Sequence, residues 1–395
     1  MRPKRIGILT GGGDVPGLNS VIKSVTYRGW EKGWETVGIR RGFEGLTHVN
    51  LDDPVSKAHY VIDLNRDNTR TIDRTGGTIL HSTRIGPSKV RVLPEHLRGA
   101  DLPSSVGKGG LTYDLTGQVL ENLQRLEIDS LITIGGDGTL KSAAELARRG
   151  VKVIGIPKTM DNDVRSTEYC IGFSTAITRA TAAIDRQRTT IGSHERIGIF
   201  RIFGRDAGFS ALYAAHVTSN RCVIPEYKVD LEKLISLLLA EKRENPSNYA
   251  LVILAEGAAW QGYEVQEYGR PDALGRRKRA SVAQVLSEEI QHRTSEETIV
   301  SDLTYDLRSG DPDFIDKLVA STFGTMALDA IFDGASGLMA AVVNGCYKLM
   351  PLPDPALGAR RVDVATMYNT DRYRPLYGNK LGLPIFLNRE APAEP

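Results

Sequence analysis

Ile134-Gly135-Gly136-Asp137-Gly138-Thr139 and Pro157-Lys158-Thr159-Met160-Asp161-Asn162-Asp163 stand one strand–helix–strand unit apart, and that spacing decides how the chain folds. Residues 130–134 are apolar and predict a buried strand. Residues 142–149 carry Ala143, Leu146 and Ala147 at helical spacing, and residues 151–156 predict a second strand. In a parallel unit both loops leave the carboxyl edge of the sheet, where ligands bind. Asp137, Asp161 and Asp163 are therefore expected to face one cleft. Gly135, Gly136 and Gly138 let backbone N–H groups approach an anion, and the helix behind them adds its positive end. A carboxylate there suits Mg2+ bridging phosphate oxygens, and a second can take a proton from an attacking hydroxyl. Each loop alone reads as a structural turn; the pair at successive strand ends reads as a site.

The chain has 395 residues, enough for two domains. Its 41% hydrophobic and 25% charged content is that of a globular protein, and a net charge of +2 gives no case for nucleic acid or membrane as a partner. Cys170, Cys222 and Cys346 lie far apart with no Cys-x-x-Cys, so neither a disulfide framework nor a zinc site is expected. Met1-Arg2-Pro3-Lys4-Arg5 leads into a short apolar strand rather than a secretory core, and no apolar run reaches membrane-spanning length. A cytoplasmic location is the expectation.

Outward from the central unit, residues 6–10 predict a strand, followed by Gly11-Gly12-Gly13-Asp14-Val15-Pro16-Gly17-Leu18-Asn19 and a helix bearing Val21, Ile22 and Val25. Strand, glycine loop and helix is a phosphate-cradling plan. No Gly-Lys-Ser/Thr ends it, and the dinucleotide glycine spacing is absent. Residues 35–39 form another strand, closed by Gly42-Phe43-Glu44-Gly45. Gly76-Gly77-Thr78-Ile79-Leu80-His81-Ser82-Thr83-Arg84 is a second polar glycine segment; Arg84 is either a partner for a transferring phosphoryl group or a surface arginine. Residues 85–110 read as an insertion or mobile loop over the cleft. Further helices are expected at 115–126, 175–187, 231–241, 281–292 and 316–332, and strands at 196–202, 249–254 and 337–343. Arg276-Arg277-Lys278-Arg279 reads as a solvated loop, and the tail ending Ala391-Pro392-Ala393-Glu394-Pro395 as frayed. The alternation of strands and helices predicts an α/β protein with mostly parallel sheets.

Four segments in this order, residues 11–19, 135–139, 157–163 and Phe203-Gly204-Arg205, resemble the phosphofructokinase family. Gly192-Ser193-His194-Glu195-Arg196, Val223-Ile224-Pro225-Glu226, Ala255-Glu256-Gly257 and Arg308-Ser309-Gly310-Asp311-Pro312 support the match, as does 76–84, and the likeness spans residues 5–352. The Pro-Lys-Thr-x-Asp-Asn-Asp motif is specific; Gly-Gly-Asp-Gly-Thr also resembles the loop of NAD kinases and diacylglycerol kinases. The resemblance implies two α/β domains with the active site in the cleft between them. Residues 1–172 with 307–355 would bind phosphoryl donor and magnesium, and 173–306 with 356–395 the sugar phosphate.

The implied reaction is Mg2+-dependent phosphoryl transfer to the 1-hydroxyl of fructose 6-phosphate. On this likeness Asp161 is the general base, Asp137 holds the magnesium through its water shell, and Asp163 supports the metal or the base. Gly12 gives a backbone N–H to the transferring group, and Arg84 and Thr159 stabilise its charge. The donor would lie on Gly12, Gly13, Arg84, Gly136, Asp137, Gly138, Thr139 and Lys158. The sugar phosphate would meet Thr159, Asp161, Asp163, Phe203, Gly204, Arg205, Glu256, Tyr305, Arg308 and Arg196, the last donated across a subunit interface of a homodimer or homotetramer. Without the likeness, Arg196 reads equally as an ion-paired residue and Glu256 as a strand-end turn. Arg205 and Glu226 match positions of interface or effector contacts.

Two positions depart from the family pattern. Ile299 stands where an arginine is usual and Tyr305 where a histidine is usual, which takes charge from the sugar-phosphate pocket and keeps another ketose phosphate, such as sedoheptulose 7-phosphate, open. The donor is open too. Gly138 leaves room for the α-phosphate of ATP, whereas Lys158 is usual in pyrophosphate enzymes; a blocked pocket excludes ATP and an added cation does not, so ATP is favoured. The rival readings are a kinase of NAD or lipid, which leaves residues 158–163 without a role, and a non-catalytic nucleotide-sensing subunit, which leaves three retained aspartates without one.

Overall fold

The structure, a computed structural model, describes residues 2–107, 110–263, 267–270 and 277–376. In chain order its main strands are β1 (Arg5–Thr10), β2 (Glu35–Ile39), β3 (Val61–Leu64), β4 (Ser130–Gly135) and β5 (Val153–Pro157). They continue with β6 (Ile197–Ile202), β7 (Arg221–Val223), β8 (Ala250–Ala255), β9 (Thr298–Asp302), β10 (Leu338–Val343) and β11 (Cys346–Pro351). Seven of them form one sheet in the order β11-β10-β5-β4-β1-β2-β3, and four form a second in the order β9-β6-β8-β7. Pairing is parallel throughout the second sheet and in the first except at its two edges, β2–β3 and β10–β11. The expected α/β class with mostly parallel sheets is the observed one.

Why the central strands read as largely apolar runs follows from what covers them. Ile132 and Ile134, like Ile6, Ile8, Ile154 and Ile156, enter one core, while Leu131, Leu9 and Val153 enter another on the opposite face. Side chains alternate faces along a strand, and both faces are covered here, so apolar residues stand on both, with Thr10, Ser130 and Thr133 as buried polar exceptions. The first of those cores continues into the second sheet through Ile197, Ile199, Leu251 and Ile253. Against this first core pack α1 (Leu18–Glu31), α3 (Phe173–Ser193), α4 (Phe209–Thr218), a short α5 (Tyr305–Arg308) and α6 (Phe314–Phe332), whereas α2 (Asp137–Arg148) sends Ala143 and Leu146 into the core on the opposite face.

Three expectations change. Helix α2 starts at Asp137 rather than near 142, so Asp137 is its first residue and Gly136 its N-cap. Residues 85–110 are not a bare loop: one-turn helices at Pro87–Lys89 and Glu95–Leu97 precede an antiparallel pair, Ser104–Gly107 with Gly110–Tyr113, and buried Val90 hydrogen-bonds Tyr113 in both directions. In the basic run, Lys278–Arg279 pairs with Glu267–Tyr268 as a two-stranded ribbon, while Arg276 lies outside the described residues, as does the Pro-rich tail. Among the described residues no helix is long and apolar enough to cross a membrane.

Candidate active site

The loop after β1 and the loop after β4 are packed on each other through one threonine. A Cβ on Gly11 would lie 2.4 Å from Thr139 Oγ1, and a Cβ on Gly135 would lie 2.3 Å from Thr139 Cβ. Thr139, expected to touch the donor, is instead buried between those glycines. Gly12 takes a φ of 86°, a backbone region that glycine enters without steric cost. Its N–H, expected to meet the transferring group, donates to the Thr83 carbonyl at 2.8 Å. Ser82 Oγ donates to the Gly12 carbonyl at 2.7 Å. Residues 82–83 thus engage both the N–H and the carbonyl of Gly12.

Cations converge on this loop. Lys158, at the end of β5, is buried and donates from Nζ to the Gly13 carbonyl. Burial, then the Arg308 guanidinium, then Arg84 pull its ammonium down to about 8, with Asp14 opposing. Arg308 pairs with Asp14 at 3.1 Å and stacks on the Tyr305 ring at 4.8 Å. A Cβ on Gly13 would sit 3.1 Å from Arg308 Nη1 and 3.9 Å from Arg84 Nη2. Lys158, Arg84 and Arg308 therefore bracket the same glycine turn. Beside it, Asp137, Gly138 and Lys141 face Pro353, Asp354 and Gly358 across a cavity of about 200 Å³. A Cβ on Gly138 would meet nothing within 4 Å.

The carboxylates gather at the facing ends of the two sheets. Asp161 follows β5, Asp206 follows β6, and Glu256 follows β8. Burial holds the Asp161 carboxyl well above the usual aspartate range, and the negative charges of Asp163, Glu256 and Asp206 push it further; the Arg205 backbone N–H opposes. The Asp161 N–H donates to Thr159 Oγ1 at 3.2 Å, which fixes the start of the turn. Gly204, at φ 126°, and Gly257 close the opposite wall: the Gly257 N–H donates to the Gly204 carbonyl at 2.9 Å. Arg201 lies 4.0 Å from Glu256 and 3.6 Å from Asp302. Burial raises the Cys170 thiol, and Asp163 and Asp137 both add to that, so these two carboxylates border one buried group.

Among the described residues no cluster of three His, Cys, Asp or Glu side chains forms a metal cage. Magnesium does not need one: it takes one or two carboxylates and completes its shell with water and phosphate oxygens. Asp137 and Asp163 fit that requirement.

A family model described as phosphofructokinase matches residues 5–331. The chain belongs to the phosphofructokinase family. It is 36% identical over 341 residues, covering 86% of this chain and 90% of the relative, to the pyrophosphate–fructose 6-phosphate 1-phosphotransferase of Amycolatopsis mediterranei. It is 34% identical over 353 residues, covering 89% and 94%, to the ATP-dependent 6-phosphofructokinase 3 of Streptomyces coelicolor. In fold it resembles a pyrophosphate-dependent phosphofructokinase from Marinobacter aquaeolei, with a TM-score of 0.73 at 18% identity over 94% of this chain and 88% of that one. As a phosphofructokinase it is a phosphotransferase.

Within this phosphofructokinase the expected sugar-phosphate residues do not all meet. Thr159, Asp161, Asp163, Gly204, Arg205 and Glu256 surround the carboxylate cluster, and Phe203 packs half-buried on the core beside it. Tyr305 is exposed, and Arg308 turns toward the donor loop. Arg205 Nη2 reaches Glu267 at 3.1 Å and the Arg277 carbonyl at 3.0 Å. Arg196 stands apart. It precedes β6, whereas Phe203 follows it, and six strand residues separate them by about 20 Å at roughly 3.3 Å each. There it pairs with Glu297 at 2.5 Å. Sequence reasoning missed Asp14, Arg201 and Asp206. Asp14, inside the 11–19 segment, and Asp206, next to Phe203-Gly204-Arg205, carried a signal in their motifs; Arg201 is recognised only by its partners in space.

Proposed function

We propose that this phosphofructokinase transfers the terminal phosphoryl group of ATP to the 1-hydroxyl of fructose 6-phosphate, giving fructose 1,6-bisphosphate, with Asp161 as general base. The observation that carries this reading is the raised Asp161 carboxyl at the meeting point of two sheet edges, opposite the cations on the Gly13 turn. A base held above the usual aspartate range is a better proton acceptor once ionised. Lys158, Arg84 and Arg308 supply charge for the transferring group, which suits a reaction that is mainly positioning and electrostatics. Asp137 and Asp163 would hold Mg2+, which when bound neutralises the donor's phosphate oxygens. Glu256 accepts from sugar hydroxyls. Residues 1–172 with 307–355 make the donor half, and 173–306 with 356–395 the sugar half. A cytoplasmic location fits a glycolytic kinase.

The cavity beside Gly138 supports ATP, because it gives room beyond the phosphates. Lys158 supports the second reading, pyrophosphate, because its ammonium lies over the Gly12 turn. Initial rates with fructose 6-phosphate and Mg2+, ATP and pyrophosphate side by side, separate the two. We expect turnover with ATP; turnover with pyrophosphate alone would give the choice to Lys158. Arg196, a strand's length from the cluster in its own chain, completes the site of a neighbouring copy in this reading. Dilution to monomer is then expected to abolish turnover.

The donor site should also titrate. The Lys158 ammonium, drawn down to about 8, loses its charge as pH rises through that value. We expect the donor KM to rise above pH 8 in the wild type and to be flat there in Lys158→Arg, whose guanidinium stays charged. A wild-type donor KM that is flat across the same range contradicts this.

A further inference from the structure

The turn that carries Asp161 and Asp163 is held from an element nearly two hundred residues downstream. Asn162, between them, adopts a φ of 52°, the left-handed region that asparagine enters more readily than most non-glycine residues. Its side chain is held at both ends: Nδ2 donates to the Glu168 carbonyl at 2.9 Å, and Oδ1 accepts from the Cys170 N–H at 2.8 Å. Its carbonyl accepts from Arg360 twice, from Nη2 at 2.7 Å and from Nε at 3.2 Å. The Arg360 backbone N–H donates to the Asp163 carbonyl at 2.6 Å. The same guanidinium stacks on the Phe209 ring at 4.3 Å, at the start of α4. Two residues on, the Val362 N–H donates to Glu226 Oε1 at 2.9 Å, the oxygen that also accepts from the Gly208 N–H at 2.9 Å.

We propose that Arg360 is a positioning residue, clamping the Asn162 turn against α4 so that the carboxylates on either side of it keep their aim. This rests on the reading of Asp161 as base. The bonds explain the division of labour. Motif residues 157–163 supply the chemistry, and their peptide carbonyls carry no sequence information. A planar guanidinium with its donors in a fixed fork reaches the Asn162 carbonyl, the Glu168 carbonyl (from Nη2 at 3.3 Å) and an aromatic face at once, which an ammonium does not. Ser210 Oγ, donating to the Met160 carbonyl at 2.9 Å, holds the other end of the turn from the same helix. The turn is thereby fastened to the second sheet's helix layer, although its strand belongs to the first sheet.

The test uses full-length enzyme and three variants. Arg360→Met keeps the stem length and the apolar contact with Phe209 but removes the guanidinium donors. Arg360→Lys keeps the charge but puts its donors on a single nitrogen, without the planar fork. Arg165→Met is the control: Arg165 Nε donates to the Gly358 carbonyl at 2.8 Å, anchoring the same segment without touching 160–163. A small misplacement of a reacting group costs up to about 10²-fold in rate, so Arg360→Met is expected to lower kcat by about that factor with both KM values unchanged. Arg360→Lys should recover part of the loss, and Arg165→Met should keep wild-type kcat. Wild-type kcat in Arg360→Met would overturn the proposal. So would equal losses in Arg360→Met and Arg165→Met with matching falls in Tm, which mark a merely structural contact. Should Arg360→Met not fold, Arg360→Lys decides: reduced kcat at unchanged KM supports the clamp, and wild-type kcat refutes it. Asp161→Asn separates the two layers, because its activity would refute the base and leave the clamp without a function. Inactivity there, beside wild-type Arg360→Met, refutes the clamp alone.

Discussion

Asp161→Asn lowers kcat by about 10³-fold, or about 4 kcal/mol in the barrier, the scale expected when a positioned general base is removed. The side chain keeps its shape, and its oxygen can still accept from the Arg205 N–H, so the sugar-phosphate KM should change little. Stability should move the other way. The folded-state pKa of Asp161 is raised by burial and by Asp163, Glu256 and Asp206. A raised carboxyl binds its proton more tightly folded than unfolded, so at pH above the folded value its ionised form costs stability. Neutral asparagine removes that cost, and Tm at neutral pH should equal or exceed that of the wild type. The same shift gives the pH profile: wild-type kcat should fall with acid through a value above the usual aspartate range. Variant kcat near wild type, or an acid limb in the ordinary aspartate range, would contradict the role. Thermal melts and a kcat–pH profile provide the checks.

Asp316→Ala should be the most damaging substitution for stability away from the reaction. Helix α3 opens on Gly172, which has no side chain to cap the first amides. Asp316, fully buried on α6, does that from outside the helix. Its Oδ1 accepts from the Gly172 N–H at 2.8 Å and the Tyr169 hydroxyl at 2.7 Å. Its Oδ2 accepts from the Thr175 N–H at 2.8 Å and the Thr175 hydroxyl at 2.5 Å. Burial pushes this carboxyl up to about 6 in spite of the four donors. Alanine would strand all four in an apolar interior, at ~1–3 kcal/mol for each one left without a partner, and would remove the negative charge that a helix N-terminus favours. We expect a loss of about 4 kcal/mol or more, read by urea unfolding, with Asp316→Asn intermediate because it keeps one acceptor. A loss below about 1 kcal/mol for alanine would mean that water replaces the carboxylate.

Much of this architecture was legible in the central unit. Apolar runs at 130–134 and 151–156 with a helical pattern between them leave one parallel solution, and the right-handed crossover puts Asp137 and Asp161 at the same edge. What the residues did not disclose is how backbone groups are spent. A glycine loop advertises N–H donors, yet the Gly12 N–H is taken by Thr83, because 82–84 lies alongside that loop in space. Thr139 has the look of a ligand-facing threonine at a helix start, yet the glycines flanking it are there to make room for it. Periodicity also hides contacts between distant segments. Asp316 and Arg360 belong to a helix and a loop whose patterns are ordinary, and only folding brings them to residues 162–175, as it brings Arg201 to Glu256. Arg196 could be read from sequence either as ion-paired or as reaching a partner; its pairing with Glu297, far from the cluster, leaves the second role to an assembly.

The most direct measurement follows the phosphoryl group itself by phosphorus NMR, with purified enzyme, fructose 6-phosphate, ATP and Mg2+. A new phosphomonoester signal on the sugar's 1-oxygen and matching ADP are expected, absent without Mg2+ and nearly absent in Asp161→Asn. No new sugar phosphate with either ATP or pyrophosphate, under conditions where the enzyme is folded, would contradict this and send the search to another ketose phosphate, which the departures at Ile299 and Tyr305 keep open.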